Sequence, residues 1–254
     1  MTIYALYNAK GGVGKTTSAV NLSYLSAREG RKSLLWDLDP QGSASFFFGV
    51  TPEEGVGMKA LVRGKRGLED AIRPTAYENL HVVPADLSAR KLDIYLDDVK
   101  ESKDRLQEML GGLGGRYGAV FIDAPPGFSL LADNLFRAAD AVLVPMIPTP
   151  LSVRTFLKIL HYVETKGHDR RAILPFFTLV DNRRSGHREI LSASLEREGS
   201  FLRTSIPYSS DVERMGVRRA PLFVFSAASR AARAYEALWA EIRQRGENAA
   251  GAGR

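Results

Sequence analysis

Two lysines, Lys10 and Lys15, stand five residues apart around Gly11, Gly12 and Gly14 in the stretch YNAKGGVGKTTSA, residues 7–19. A glycine run that passes into Gly-Lys-Thr-Thr, between an apolar strand and a helix, is suited to gripping polyphosphate. Successive backbone N–H groups converge on the anion, and the helix N-terminus adds positive potential. Glycines let the backbone approach phosphate oxygens with no Cβ in the way. Lys15 would reach the β and γ phosphates, and the Thr16 hydroxyl would ligate Mg²⁺. The candidate cradle is the whole loop: Gly11, Gly12, Val13, Gly14, Lys15, Thr16 and Thr17. The general pattern Gly-x-x-x-x-Gly-Lys-[Ser/Thr] fails at its first glycine, where Ala9 stands. A glycine-rich turn that merely caps a helix is the alternative.

Two acidic signals follow in order. In LLWDLDPQGSAS, Asp37 and Asp39 sit two apart at the end of a strand, so a regular strand would point both carboxylates the same way. Beyond the strand they can aim at a metal and at a water. In AVFIDAPPG an apolar strand ends in Asp123, as expected of a carboxylate that holds Mg²⁺ through water. Pro125, Pro126 and Gly127 then form a stiff turn that could sense a γ-phosphate. Strand-end aspartates also cap following helices, so neither signal decides alone; the glycine loop and both aspartate sites together point to nucleotide and Mg²⁺.

Positioning these groups takes a particular frame. Apolar runs at 3–8, 33–39, 80–85, 119–127, 141–148, 173–182 and 202–207 read as strands. Stretches at 16–29, 100–110, 129–138, 151–166, 186–197 and 229–245 read as helices between them. Continuous apolar strands separated by helices predict a parallel sheet covered on both faces, with ligands outside the carboxyl ends of its strands. The expected fold is α/β, a doubly wound and mainly parallel sheet flanked by helices. GGLGG at 111–115 reads as a helix-to-strand turn. Residues 1–245 are expected to form one domain, and 246–254 a frayed tail.

Composition sets outer bounds. The chain has 254 residues, 44% hydrophobic and 25% charged, as in ordinary globular domains. It has no cysteine, which excludes thiolate metal sites, iron–sulfur clusters and cysteine nucleophiles, and which suits a reducing cytoplasm. The start of the chain lacks a signal-peptide pattern, and no run approaches the roughly 20 apolar residues of a membrane span. Net charge is +6, from 35 Lys and Arg against 29 Asp and Glu, which is compatible with a polyanionic partner.

At KGGVGKTT (10–17), DLDPQG (37–42) and FIDAPPG (121–127) the chain resembles the deviant-Walker P-loop ATPases, specifically the ParA group that partitions DNA and positions cellular cargo. The resemblance implies a lysine at Lys10 that crosses a dimer interface to the phosphates of the other subunit. It implies a Lys15 that works within its own subunit, an Asp39 that positions the attacking water and an Asp123 that holds the metal through water. It further implies slow ATP hydrolysis, an ATP-bound sandwich homodimer and DNA binding without sequence preference. A ParB-like or cargo-adaptor protein would stimulate hydrolysis and release DNA, in a cytoplasmic, nucleoid-associated setting. Related groups that depend on cysteines do not fit. A MinD-like membrane-positioning role is the alternative: Ala231, Tyr235, Leu238, Trp239 and Ile242 fall at helical spacing and could form a membrane face or pack on the sheet.

The chain also departs from the ParA pattern. Its first strand starts at Ile3, so no helix-turn-helix domain and no operator binding are expected. YSSDVERMGVRRAPLFVFSAAS (208–229) replaces the segment common in relatives, which leaves chromosome, plasmid, carboxysome or chemoreceptor cargo open. Non-specific DNA binding needs several basic side chains on one face. Arg214, Arg218, Arg219, Arg230 and Arg233 are the candidates, with Arg183 and Arg184 as a further option; a solvated basic surface is the alternative. Asp181, Pro207 and Tyr208 are the candidates for contact with adenine, although Asp181 could equally be a helix N-cap. His161, His168 and His187 show no metal-ligand spacing and read as surface or packing residues.

Overall fold

The computed structural model describes residues 1–53, 55–100, 102–197 and 200–252. In chain order the elements are β1 (Thr2–Leu6), α1 (Lys15–Arg28), β2 (Ser33–Asp37), α2 (Ser43–Phe48), α3 (Met58–Val62), β3 (Arg73–Pro74), β4 (Leu80–Val83), α4 (Leu92–Asp97), α5 (Arg105–Gly111) and β5 (Ala119–Asp123). They continue with α6 (Leu130–Ala138), β6 (Ala141–Met146), α7 (Pro150–Thr165), β7 (Ile173–Phe177), α8 (Ser185–Arg197), α9 (Ser210–Arg218), α10 (Leu222–Ser226) and α11 (Arg230–Ala252).

All seven strands join one sheet in the order β3-β4-β2-β5-β1-β6-β7, parallel except for β3 at the edge. Every residue of β2, β5 and β7 is buried, which is why these strands read as unbroken apolar runs rather than alternating ones. Side chains still alternate between the two faces. Ile3, Ala5 and Tyr7 join a core with α3 to α8, whereas Tyr4 and Leu6 join one with α1, α2, α9, α10 and α11. The strand order switches sides at β1, which lies between β5 and β6 with all three parallel. The carboxyl ends of β1, β2 and β5 therefore open onto the crevice where sheets of this kind take ligands.

Three expectations need revision. The run 202–207 is not a strand, although the Leu202 and Ile206 N–H groups donate to the β7 carbonyls of Pro175 and Phe177, each at 2.8 Å, and Pro207 bridges to Val180 just past β7. The backbone N–H groups of Arg203 and Thr204 donate instead to the Glu241 carboxylate, at 2.7 and 2.9 Å, so a side chain of α11 takes the place of a ladder. The two-residue strand β3 and the short helices α2, α3, α4, α9 and α10 have no counterpart in the sequence reading. Helix α11 runs on past Gly246 to Ala252, through most of the stretch read as a tail; Gly253 and Arg254 lie outside the described residues. The GGLGG segment is a turn, as expected, with Gly114 and Gly115 both in left-handed conformation.

The C-terminal helix resolves its own alternatives. Ala231, Tyr235, Leu238, Trp239 and Ile242 are all buried, and Trp239 packs edge-on against Tyr4 and beside Phe121. Its indole N–H donates to Glu29 at 3.0 Å, and Arg28 pairs with Glu236 at 2.7 Å, both tying α11 to α1. The apolar face that could have met a membrane is spent on the sheet. Among the described residues no helix is long and apolar enough to cross a membrane.

Candidate nucleotide site and arginine face

The loop after β1 is held from both sides. The Asn8 amide donates to the Pro145 carbonyl at 2.8 Å, while its oxygen accepts the Lys10 N–H at 2.9 Å. On the far side the Thr178 hydroxyl donates to the Val13 carbonyl at 2.7 Å. The loop is thus fixed to the ends of β6 and β7. Gly12 and Gly14 take left-handed φ values of 72° and 86°, and a Cβ on Gly14 would lie 3.7 Å from the Thr178 Cβ. At Gly14 the helix starts without a side-chain cap, and its first internal bond runs from Ser18 N–H to the Gly14 carbonyl at 3.1 Å. The amides of the first turn therefore have no helical partner, the condition for an anion site.

The two lysines behave differently. Lys15 is 6% exposed and its Nζ donates to the Lys10 carbonyl at 3.3 Å. Burial lowers its pKa, against the opposing pull of Asp123 and Asp39. Lys10 is exposed. One ammonium is turned into the loop, and the other is free to reach outward.

Asp37 and Asp123 face one another at the last rung of the β2–β5 pairing. Both are fully buried. Asp37 is well partnered: one oxygen accepts the Ser45 N–H at 2.8 Å and the Ser45 hydroxyl at 2.7 Å, and the other accepts the Asp39 N–H at 3.3 Å. Asp123 has neither oxygen paired. Burial raises the Asp37 carboxyl to about 6, partly offset by the Ser45 bonds. Burial, and then the charge of Asp37, push Asp123 up to about 8; the nearby Thr16 hydroxyl and Lys15 act in the opposite direction. Thr16 is close enough to exert that influence, but not in hydrogen-bonding geometry, as the unpaired oxygens show. A wholly buried carboxylate with two orphaned acceptors beside a second carboxylate calls for a proton or a cation. Two carboxylates and a hydroxyl form a hard-oxygen donor set that fits Mg²⁺, which keeps waters and substrate phosphate among its ligands. Among the described residues no cluster of three or more His, Cys, Asp or Glu could hold a metal unaided.

Asp39 lies beyond β2 rather than on it. Its side chain accepts the Gln41 N–H at 3.0 Å, and it is partly exposed, unlike its neighbour two residues back. The turn after β5 is tied to β1, where Tyr7 OH donates to the Gly127 carbonyl at 2.9 Å. Tyr7, Asn8, Ser45 and Thr178 were not found from sequence. Tyr7 and Asn8 open the YNAKGG stretch and Ser45 lies in the QGSAS run after the aspartates, so three of the four stood beside a motif, but the partners of Tyr7 and Asn8 lie far away in sequence.

The expected adenine contacts are brought to adjacent segments. Tyr208 N–H donates to the Val180 carbonyl at 3.0 Å, and Pro207 bridges to Val180, one residue before Asp181. The Asp181 carboxylate is already engaged. It pairs with Arg183 at 2.9 Å and Arg184 at 3.7 Å, and the Arg183 bonds hold its pKa down to about 2. It also accepts the Arg183 N–H at 3.1 Å, forming an Asx turn ahead of α8 rather than the N-cap considered from sequence. Arg183 and Arg184 are correspondingly less available to a polyanion. The Tyr208 hydroxyl donates to Glu213 at 2.8 Å.

Arg214, Arg218 and Arg219 lie on α9 or at its end, and Arg230 and Arg233 open α11; all five are exposed. Arg214 pairs with Asp211 at 3.3 Å, Arg233 donates to the Ala228 carbonyl at 2.8 Å, and Arg219 lies 4.4 Å over the Phe46 ring. Among the described residues, Arg218, Arg219, Arg230 and Arg233 have no ion-pair partner. His161 is exposed, His168 bonds the buried Asp133 at 2.8 Å, and buried His187 accepts the Asp181 N–H at 3.2 Å.

A parallel sheet whose first strand runs into a glycine loop and helix, with two carboxylates at neighbouring strand ends, defines the class of P-loop nucleotide-binding folds. Residues 1–174 match the family model described as an AAA domain. The chain is 30% identical over 240 residues to the chromosome-partitioning ATPase Soj of Treponema pallidum, covering 92% of this chain and 94% of that protein. Its fold matches a plasmid partition protein of Borrelia burgdorferi bound to AMPPNP, with a TM-score of 0.85, 22% identity and coverage of 96% of this chain and 99% of the other. It also matches the septum site-determining protein MinD of Pyrococcus horikoshii complexed with Mg-ADP, with a TM-score of 0.74, 23% identity and 95% coverage of both chains. The chain belongs to the ParA family of P-loop ATPases.

Proposed function

We propose that the protein is a nucleotide-gated partitioning switch: ATP joins two copies, the dimer binds DNA without sequence preference, and hydrolysis resets it. The observation that carries this reading is the Asp37–Asp123 pair behind the glycine loop, with both Asp123 oxygens buried and unpaired. Such a pair is completed by a cation arriving with a nucleotide. The reading is supported by relatives of the same family named as chromosome-partitioning ATPases and by neighbours of the same fold bound to AMPPNP or Mg-ADP.

In this reading Gly11 to Thr17 wrap the phosphates, and Lys15 meets the β and γ groups. Thr16, Asp37 and Asp123 hold Mg²⁺, which when bound supplies positive charge to the transferring phosphoryl group. Asp39, partly exposed beyond β2, orients the attacking water for in-line displacement. Lys10, exposed beside the buried Lys15, reaches the phosphates of the partner copy and adds charge stabilisation there. Asp181, Pro207 and Tyr208 lie beside the base. The five exposed arginines of α9 and α11 contact DNA phosphates. A ParB-like or cargo-adaptor protein stimulates hydrolysis, and the protein works in the cytoplasm on the nucleoid.

Retention of the protein on random-sequence duplex DNA, compared with Mg-ATP and with Mg-ADP, tests the reading. It predicts retention with ATP alone, and a salt dependence that reports several phosphate contacts. Equal retention in both states, or none in either, would overturn it.

A further inference from the structure

We propose that helix α2 is a lever carrying the state of the nucleotide site to the arginine face, with the Phe46 ring under Arg219 as its output contact. The inference rests on the DNA-binding reading above for its purpose, though not for its mechanics.

Consecutive residues of α2 touch the two ends of the connection. Ser45 is bound to Asp37 through both its N–H and its hydroxyl, and its oxygen also accepts the Ala85 N–H at 2.8 Å. Phe46, the next residue, is 46% exposed and lies 4.4 Å beneath the Arg219 guanidinium. A helix of six residues is short enough to move as a unit. Gly42 and Gly49 bracket it with left-handed φ values of 64° and 63°, and these glycines can change conformation without the Cβ strain other residues would meet. Nothing lies within 4 Å of a Cβ on Gly49, so that end has room to turn.

The far end has a fixed point to work against. Asn21 on α1 is fully buried; its amide donates to the Thr17 carbonyl at 2.8 Å and lies 3.3 Å from the Met215 sulfur, while its oxygen accepts the Leu222 N–H at 3.0 Å. Asn21 thereby ties the junction of α9 and α10 to the phosphate-loop helix. Arg219 sits within that junction at φ 48°, a left-handed conformation costly for a side chain of its size, held by its surroundings. One anchor of the junction traces to the rigid phosphate loop, and the other traces through Phe46 and Ser45 to the aspartate pair. A cation and phosphates arriving at Asp37 and Asp123 change what Asp37 must bind. Ser45 follows, and Phe46 shifts Arg219 and its neighbour Arg218 relative to the junction held by Asn21. The coupling is set by how differently the two states hold that ring contact.

A surface cation–π contact of this kind shifts an equilibrium by about two- to fivefold. Amide hydrogen exchange at residues 215–220, with and without AMPPNP and Mg²⁺, reads the lever without any DNA. The wild type should show a nucleotide-dependent change in exchange there. Phe46→Tyr should keep it, and Phe46→Leu should lose it while melting normally and binding AMPPNP as before. In parallel, the ratio of DNA affinities with and without AMPPNP should fall about two- to fivefold in Phe46→Leu. An unchanged exchange response in Phe46→Leu, or no response in the wild type, would overturn the lever. A wild type that shows the response, but binds no DNA, supports the lever and sinks the DNA-binding reading instead.

Discussion

The nucleotide end and the arginine face are held by opposite means. Around the glycine loop nearly every polar group has a fixed partner: Asn8 on Pro145, Thr178 on Val13, Lys15 on Lys10, and Ser45 on Asp37. Among the described residues there, both Asp123 oxygens are buried and unpaired, where a proton or a cation can satisfy them. The arginine face is the reverse: its side chains are exposed, and among the described residues only Arg214 of the five has an ion-pair partner, while Phe46 and Asn21 are among the contacts that tie α9 to the nucleotide end. Preorganisation belongs where chemistry needs fixed geometry. The surface proposed to grip and release DNA would draw its affinity from charge, which tolerates loose placement.

The sharpest way to break this contrast is at the rigid end. Lys15→Ala removes the buried ammonium from the loop and should cut ATP hydrolysis on the order of 100- to 1000-fold in a phosphate-release assay. A loss of only a fewfold would mean the loop does not bear on the phosphates as described. The exposed end should yield less. Arg218→Glu with Arg219→Glu should weaken ATP-dependent DNA binding about tenfold or more and reduce the salt slope by about two contacts per subunit. Because neither residue supports the core, the melting temperature should fall only slightly, from loss of the Arg219–Phe46 contact and of two positive charges at the end of α9. Unchanged DNA retention would relocate the binding face.

A last expected effect concerns stability and sharpens the contrast from the buried side. Asp123 and Asp37 titrate near 8 and 6 in the fold, above the ordinary carboxylate range of about 4 in the unfolded chain. Between those values the pair holds more protons in the fold than in the unfolded chain, so its contribution to stability is fully present below about 4 and is lost as pH rises to about 8. Asp123→Asn removes the charge that burial penalises. Chemical denaturation without nucleotide should show it more stable than wild type near pH 8, on the order of 2 kcal/mol, with a flatter pH dependence. An unchanged slope would mean that Asp123 ionises freely where it stands.

How much of this was legible in the sequence follows from the range of the forces involved. The phosphate loop could be read because its requirements are local: glycines at left-handed positions, then a lysine and hydroxyls within one helical turn. The strand-end aspartates could be read because each closes an apolar run. Their pairing across β2 and β5 could not, since strand order is decided by contacts far apart in sequence. Asn8, Thr178 and Asn21 were invisible for the same reason, each bonding to a segment more than a hundred residues away. The run 202–207 misled because it has a strand's apolar rhythm, yet only Leu202 and Ile206 donate to β7 while Glu241, from a distant helix, takes the amides of Arg203 and Thr204. The C-terminal stripe of Ala231 to Ile242 had two physical readings, and only the packing of Trp239 on Tyr4 and Phe121 separates them.

The central claim is that two lysines make nucleotide binding and dimerisation one event. Lys15 is buried in its own loop, while Lys10 stands exposed with its backbone pinned by Asn8. Sedimentation velocity of Lys10→Ala with AMPPNP and Mg²⁺ tests this directly, alongside nucleotide binding measured on the same sample. The account predicts a variant that binds nucleotide yet remains a monomer at concentrations where the wild type is dimeric. A Lys10→Ala protein that dimerises as the wild type does would contradict it.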